Sequence, residues 1–228
     1  MMSNHQTQPD FRESLAAFVW VLYSDLATVI TVSVLFVLGS LPVVTTGASL
    51  MALSEALTTV VTGENRGGPT SERERVSLFV SSFRESLVRG LPYTTAILVV
   101  ALVTSVYGVA FVSAQTPTLF LGSLIGLYAV VIVPVWLLRA ASVTVRSPAT
   151  PGFRASMKEG ISIALERPYF SVLQLTIVGL LGLLSTFFPA LAVVFAPGAI
   201  TVLEVISYEE LAGRGATDIA TAYRGVDA

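Results

Sequence analysis

The sequence predicts an all-α, polytopic membrane helix bundle: six transmembrane helices arranged as three hairpins, with amphipathic helices on the cytoplasmic side. Three observations predict it. Hydrophobic residues make up 54% of the chain and charged residues only 12%, well below the charged share of an ordinary soluble domain, and the mean hydropathy is +0.78. The charges are also segregated, with no Asp, Glu, Lys or Arg from Leu91 to Leu138. Finally, a short sequence recurs: Phe-Arg-Glu-Ser-Leu begins at Phe11 and again at Phe83, and Phe-Arg-Ala-Ser-Met begins at Phe153.

A helix crosses about 30 Å of hydrocarbon with about 20 apolar residues. Six segments qualify: Leu26 to Val44, Thr45 to Val61, Pro92 to Ser113, Pro117 to Leu138, Pro168 to Phe188 and Ala190 to Ser207. No charge separates the first two. They divide at Ser-Leu-Pro-Val-Val-Thr-Thr-Gly, where Pro42 removes a backbone donor and Gly47 permits a tight turn. The other hairpin turns, Ser-Ala-Gln-Thr-Pro-Thr and Phe-Phe-Pro-Ala, also carry proline. A rival partition makes Leu26 to Leu53 one long tilted helix and leaves five or fewer spans.

Orientation follows from the bases. All 13 Lys and Arg fall in the leader, between Gly63 and Leu91, between Arg139 and Arg167, or in the tail. Short cytoplasmic loops are enriched in these residues, so both termini and both charged loops are expected inside a plasma membrane. The leader, Met-Met-Ser-Asn-His-Gln-Thr-Gln-Pro-Asp, has no Lys or Arg and lacks the basic n-region of a cleavable signal. The first span is therefore expected to persist.

With this topology, each Phe-Arg copy precedes a span on the cytoplasmic side. The expected organisation is a single membrane domain with pseudo-repeat units 11–62, 83–139 and 153–207, followed by a cytoplasmic tail, 208–228. Val76, Phe79, Val80, Phe83 and Leu87 share one helical face, and Phe153, Met157, Ile161 and Leu165 repeat the pattern. Arg73, Arg84 and Glu85 are left for the wet side of the first of these helices, and Arg154 and Lys158 for that of the second. Such helices either lie at the headgroup boundary, bases near anionic lipid, or cap the bundle from below. The three repeats run parallel, not inverted, which argues against an alternating-access carrier.

Ionisable groups at membrane depth are costly and mark candidate sites. Glu55 heads a polar stripe with Thr58, Thr59 and Thr62. Its expected roles, as a structural hydrogen-bonding group, a ligand or ion contact, or a partner contact, stay open. Glu204 lies nearer the cytosolic end of the last span, and Gln174 in the fifth can hydrogen-bond either glutamate. Asp25 stands where an apolar run begins, and Asp25 or Ser24 reads most simply as the N-cap of the first span. Gly122 and Gly126 have the small-xxx-small spacing of closely packed helices, within the chain or in a homo-oligomer. Pro134, Pro197 and Gly198 are either tolerated kinks or helix breaks.

The chain has no cysteine and a single histidine, His5, so no disulfide, thiolate site or histidine pair is expected. It contains no HExxH, nucleophile elbow or Walker loop. Thr-Gly-Glu-Asn-Arg-Gly-Gly-Pro-Thr-Ser-Glu reads as a linker. No catalytic residue, metal or cofactor is expected, and a net charge of -2 gives no general attraction to nucleic acid.

Leu41, Pro42, Val43, Val44, Thr45 and Gly47, with Ala48, Ala52 and Leu53 after them, resemble the first turn of the YesL-like family of small integral membrane proteins, whose domain has no known function. Phe-Val-Ser-Ser-Phe-Arg-Glu-Ser-Leu resembles the segment after that family's first hairpin. The likeness covers the first 90 or so residues. The first span departs from it, having Ala-Thr-Val-Ile-Thr-Val where the family carries Asn and Trp. The resemblance implies an accessory role beside carbohydrate transporters of the ATP-binding-cassette type, whose subunits would be partners along with the lipid bilayer. The expected function is therefore a non-enzymatic accessory subunit. The alternative is a channel or carrier using Glu55 and Glu204 for a cation or proton.

Overall fold

The computed structural model describes residues 11–62, 71–147, 151–166, 168–212, 215 and 219. The leader with His5, most of the Gly-rich linker and most of the tail lie outside the described residues. Among those described, all regular structure is helical: α1 (Phe11–Ser24), α2 (Leu26–Ser40), α3 (Thr46–Thr62), α4 (Glu72–Glu85), α5 (Leu91–Ala114), α6 (Pro117–Arg146), α7 (Phe153–Glu166), α8 (Pro168–Phe187), α9 (Pro189–Val194) and α10 (Ala196–Ala212).

The breaks follow local chemistry. Between α2 and α3 the chain makes a 3-10 turn at Val43–Thr45, and the Thr45 hydroxyl lies within 2.6 Å of both the Gly39 and Pro42 carbonyl oxygens. Helix α4 opens with a capping box: Ser71 Oγ accepts from the Glu74 amide at 3.3 Å, and Glu74 reaches back to the Ser71 amide, which satisfies donors the helix cannot bond internally. Prolines stand in the first turn of α5 and α6, where a missing N–H costs nothing. Gln115 ends α5 in a left-handed conformation, φ 46°.

Helices α5 and α6 form a long antiparallel hairpin. A Cβ on Gly122 would lie 2.3 Å from the Tyr107 ring, and one on Gly126 2.8 Å from Thr104 Oγ1. The small-xxx-small pair is thus used for close approach inside the hairpin. The outer faces are apolar and exposed, including Leu98, Leu102, Val106 and Val109 on α5 and Phe120, Leu121, Leu124 and Leu127 on α6.

The foot of the hairpin is embedded in the rest of the chain. Met51, Tyr93, Leu137, Ala140 and Ala141 form one core there, with Phe153 edge-on to Tyr93 at 4.8 Å. A larger core joins α1, α2, α3, α4 and α10 through Phe18, Val29, Leu53, Leu57, Phe79 and Ile206. Each side chain of this size contributes about 1.5 to 3 kcal/mol on full burial.

The helices depart from the expected six spans. Val43–Thr62, Leu91–Ala114 and Pro117–Arg146 are long and apolar enough to cross a membrane. Helices α1 and α2 qualify only as a pair bent by 84°, and α8 carries a shorter apolar stretch, Gln174–Phe187. The sixth expected span is broken at Phe195 into α9 and α10. Two contacts give the physical reason. The first turn, expected on the far side of the membrane from Leu91, touches the foot of α5: the Gly47 amide donates to Thr94 Oγ1 at 2.9 Å, Thr94 Oγ1 donates to the Val44 carbonyl at 3.0 Å, and a Cβ on Gly47 would lie 2.0 Å from the Gly90 carbonyl. Contacts that short cannot join two faces about 30 Å apart. In addition, α4 runs beside α2, with Arg75 reaching Asp25 at one end and Phe83 packing near Gly39 at the other. The outer face of α4 exposes Glu72, Arg73, Glu74, Arg84 and Glu85, charges too costly to immerse in hydrocarbon.

The repeated Phe-Arg pentapeptides occupy different settings. They open α1 and α7 but close α4. On α7 the predicted face is half-buried at Phe153, Met157 and Ile161, whereas Leu165 is exposed.

Candidate functional site

A buried polar cluster lies where α6, α8 and α10 meet at the hairpin foot. Arg139 Nε donates to Glu204 Oε1 at 2.8 Å and Nη2 donates to Oε2 at 3.2 Å, a forked pair. Arg139 Nη2 also donates to Gln174 Oε1 at 2.5 Å, and Gln174 Nε2 donates to Glu204 Oε2, closing a ring. All three side chains are buried, Glu204 completely. Gly160 of α7 makes room for the arginine stem, since a Cβ there would sit 3.3 Å from Arg139 Cγ.

Two further contacts extend the polar seam along α6. Arg146 Nε lies 3.1 Å from Glu209 Oε1; the approach is an ion pair without the alignment of a hydrogen bond. The Arg146 guanidinium also sits 4.2 Å over the Tyr208 ring, a cation-π contact. Burial pushes the Tyr208 phenol above its ordinary pKa, against the opposing pull of Arg146. Since Arg139 meets Glu204 and Arg146 meets Glu209, α6 and α10 run in the same direction here. Nearby, Tyr93 Oη and Thr144 Oγ1 share a hydrogen bond of 3.1 Å, and Thr144 Oγ1 and Ser156 Oγ share one of 2.7 Å, tying α5, α6 and α7 together.

The structure brings Gln174 and Glu204 together, as the sequence allowed, and adds a partner the sequence reading missed. Arg139 was expected to begin a cytoplasmic loop. Instead α6 continues without a break to Arg146 and carries Arg139 into the core. A signal for it existed: from Leu138 to Arg146 no Gly or Pro interrupts the helix, and the interval from Arg139 to Arg146 places both bases on one helical face.

Glu55 takes no part in this cluster. It is half-buried on α3, and among the described residues its carboxylate forms no ion pair. Two hydroxyls of its stripe turn back on their own helix, Thr59 donating to the Glu55 carbonyl at 2.9 Å and Thr62 to the Thr58 carbonyl at 2.7 Å, whereas Thr58 Oγ1 is buried with no hydrogen-bond partner among the described residues. Asp25 holds the position before α2, but its side chain makes no cap bond. Its carboxylate accepts from the Thr28 hydroxyl at 3.4 Å and pairs with Arg75 Nη2 at 3.5 Å, while Arg75 Nη1 donates to Thr28. The expected cap is thus replaced by a link from α2 to α4. Arg73, Arg84, Arg154 and Lys158 are all exposed.

Chemically, the Arg139 ring is a clasp. Glu204 Oε1 accepts from Arg139, and Oε2 accepts from both Arg139 and Gln174, so both oxygens are engaged by guanidinium and amide donors. Removing one partner from such a buried pair leaves an uncompensated charge. No protein-family model, curated protein or solved structure matches the chain.

Proposed function

We propose that this is a non-enzymatic integral membrane protein, inserted through the α5–α6 hairpin, which acts by lateral contacts as an accessory subunit of a transport system. The observation that carries the reading is the pairing of opposites along α6. Its distal part, with α5, offers a charge-free apolar surface to its surroundings, while its foot spends buried ionisable groups on a closed clasp. A surface of that kind suits lipid or another membrane helix. The exposed apolar residues Val172, Leu180, Leu183 and Phe187 of α8 supply a second such ridge.

The basic residues favour a cytoplasmic foot. Arg89, Arg139 and Arg146 flank the hairpin's base, whereas no Lys or Arg lies near its tip at Gln115, which matches the positive-inside bias. A hairpin also returns the chain to its starting side, so both termini are proposed to be cytoplasmic. The transport assignment, with a carbohydrate system of the ATP-binding-cassette type as partner, rests on the resemblance at Leu41 to Leu53 to the YesL-like family. A carrier mechanism is less well supported, because Glu204 is committed to Arg139 and only Glu55 is left to handle an ion.

Purification from membranes in mild detergent, with single cysteines on the exposed hairpin face for crosslinking, tests the proposal. The expected product is a crosslink from Leu102→Cys or Ile125→Cys to a multi-pass subunit of a transport system. Recovery of an uncrosslinked monomer under several extraction conditions would contradict it.

A further inference from the structure

One surface is used by neither the clasp nor the hairpin's flanks. Around the foot of α5, the first turn exposes Leu41, Val43 and Val44, and the link from α4 to α5 exposes Leu87, Val88 and Leu91. Val88 is 77% and Leu41 70% accessible. These two segments come together through the Gly47 to Gly90 contact and the Thr94 hydroxyl bonds to Gly47 and Val44. No charge occurs from Leu26 to Ser54, and Arg89 is the only one from Ser86 to Leu138. The patch continues directly into the uncharged exposed face of α5.

We infer that this collar inserts into the lipid monolayer on the side of the foot, with Leu41, Val43, Val44 and Val88 in the upper acyl region and Arg89 at the level of anionic headgroup phosphates. The inference rests on the reading of α5–α6 as the membrane hairpin. It adds a specific partner, an anionic lipid surface, and a function for the first turn. Three features favour lipid over a protein partner. The collar is continuous with the hairpin's flank. Its aliphatic side chains are exposed on a turn and a helix end. Its lone charge is a base, which suits the negative surface potential of a cytoplasmic leaflet. Amphipathic surfaces that sit about 5 to 10 Å into the headgroup and acyl boundary have this composition. By closing Gly47 onto Gly90, the fold places the turn where the helix enters the bilayer, and so fixes the tilt of the body against the membrane.

The chain lacks cysteine, so a single introduced thiol reports its own site. Val44→Cys, Val88→Cys, Leu102→Cys and Ser81→Cys full-length proteins would carry an environment-sensitive fluorophore in vesicles of phosphatidylcholine and phosphatidylglycerol, doped with lipids bearing a nitroxide near the headgroup or near the acyl terminus. Leu102 lies about 16 Å into α5 at about 1.5 Å per residue and reports on the hairpin; Ser81 lies on the polar face of α4. The expected result is strongest quenching of Leu102 by the deep nitroxide and of Val44 and Val88 by the shallow one. Shallow quenching at both collar sites should exceed that at Ser81 by roughly threefold, as insertion of about 5 to 10 Å implies. Deep quenching at Leu102 with Val44 and Val88 no different from Ser81 would overturn the collar and leave the hairpin standing. Absence of deep quenching at Leu102 would overturn the hairpin and the collar with it.

Discussion

Helices α3 and α5 are both apolar enough to cross a membrane, yet they occupy opposite environments. More than half of the apolar window around α3 is buried inside the protein, and none of that in α5 is. Helix α3 is enclosed by α2, α4, α6 and α10, whereas α5 packs chiefly on α6 and turns Leu102, Val106 and Val109 outward. An apolar helix records only that it avoids water. Whether lipid or protein replaces that water is decided by its neighbours.

Charge substitution should separate the two helices most sharply. Leu57→Arg on α3 places an unpaired cation at a site 1% accessible and should destabilise the fold by more than about 4 kcal/mol, so that folded protein is lost even in detergent. Leu102→Arg on α5 should leave unfolding in detergent unchanged but lower the membrane-integrated fraction, at a cost of about 2.5 to 3.5 kcal/mol on insertion scales. Equal loss of folded protein from both variants would erase the distinction.

The clasp gives the next largest effect. Arg139→Met leaves Glu204 buried without its cation and should cost about 3 to 5 kcal/mol, whereas Arg139→Met with Glu204→Leu should recover most of that loss. Thermal unfolding of the single and double variants in one detergent measures it. A double variant as unstable as the single would show that the pair's net charge is not what matters.

Glycine substitutions sharpen the comparison at smaller scale. Gly90→Ala at the foot drives a Cβ to 2.3 Å from the Ala48 amide nitrogen and should cost about 1 to 3 kcal/mol through overpacking. Gly108→Ala, with nothing within 4 Å of its new Cβ, should be neutral or stabilising by up to about 1 kcal/mol. Smallest of all, Asp25→Asn weakens a partly exposed pair with Arg75 and should shift stability by no more than about 1 kcal/mol.

Much of the local structure was legible in the chain. Proline and glycine marked the first turn and the α5–α6 tip, the Gly122 and Gly126 spacing indicated close helix packing, and Gln174 was expected to bond Glu55 or Glu204, of which it bonds Glu204. Periodicity found part of the apolar faces of α4 and α7, with Phe79 and Phe83 on the first and Phe153, Met157 and Ile161 on the second turned inward, while Val80, Leu87 and Leu165 are exposed. The tertiary arrangement was not legible, for two physical reasons. Hydropathy does not distinguish lipid from a protein core, so α2 and α10 read as spans of their own, whereas α2 meets the length and apolarity of a span only as a bent pair with α1 and α10 does not meet them. Arg139 looked like a loop residue because a base after an apolar run ordinarily marks the membrane boundary, and only its packing against Glu204 shows it folded inward. The threefold pattern of Phe-Arg segments recurs in sequence, but α1, α4 and α7 use it at different helix ends.

The most direct test is the sidedness of three single cysteines, Pro42→Cys in the first turn, Arg89→Cys at the foot and Gln115→Cys at the hairpin tip, labelled with a membrane-impermeant maleimide in intact cells and in inverted vesicles. The expected result is that Arg89→Cys reacts in the inverted vesicles and Gln115→Cys in the intact cells, while Pro42→Cys, in the inserted collar, reacts only in the inverted vesicles and more slowly than Arg89→Cys. Labelling of Pro42→Cys together with Gln115→Cys, opposite Arg89→Cys, would restore three hairpins and contradict it.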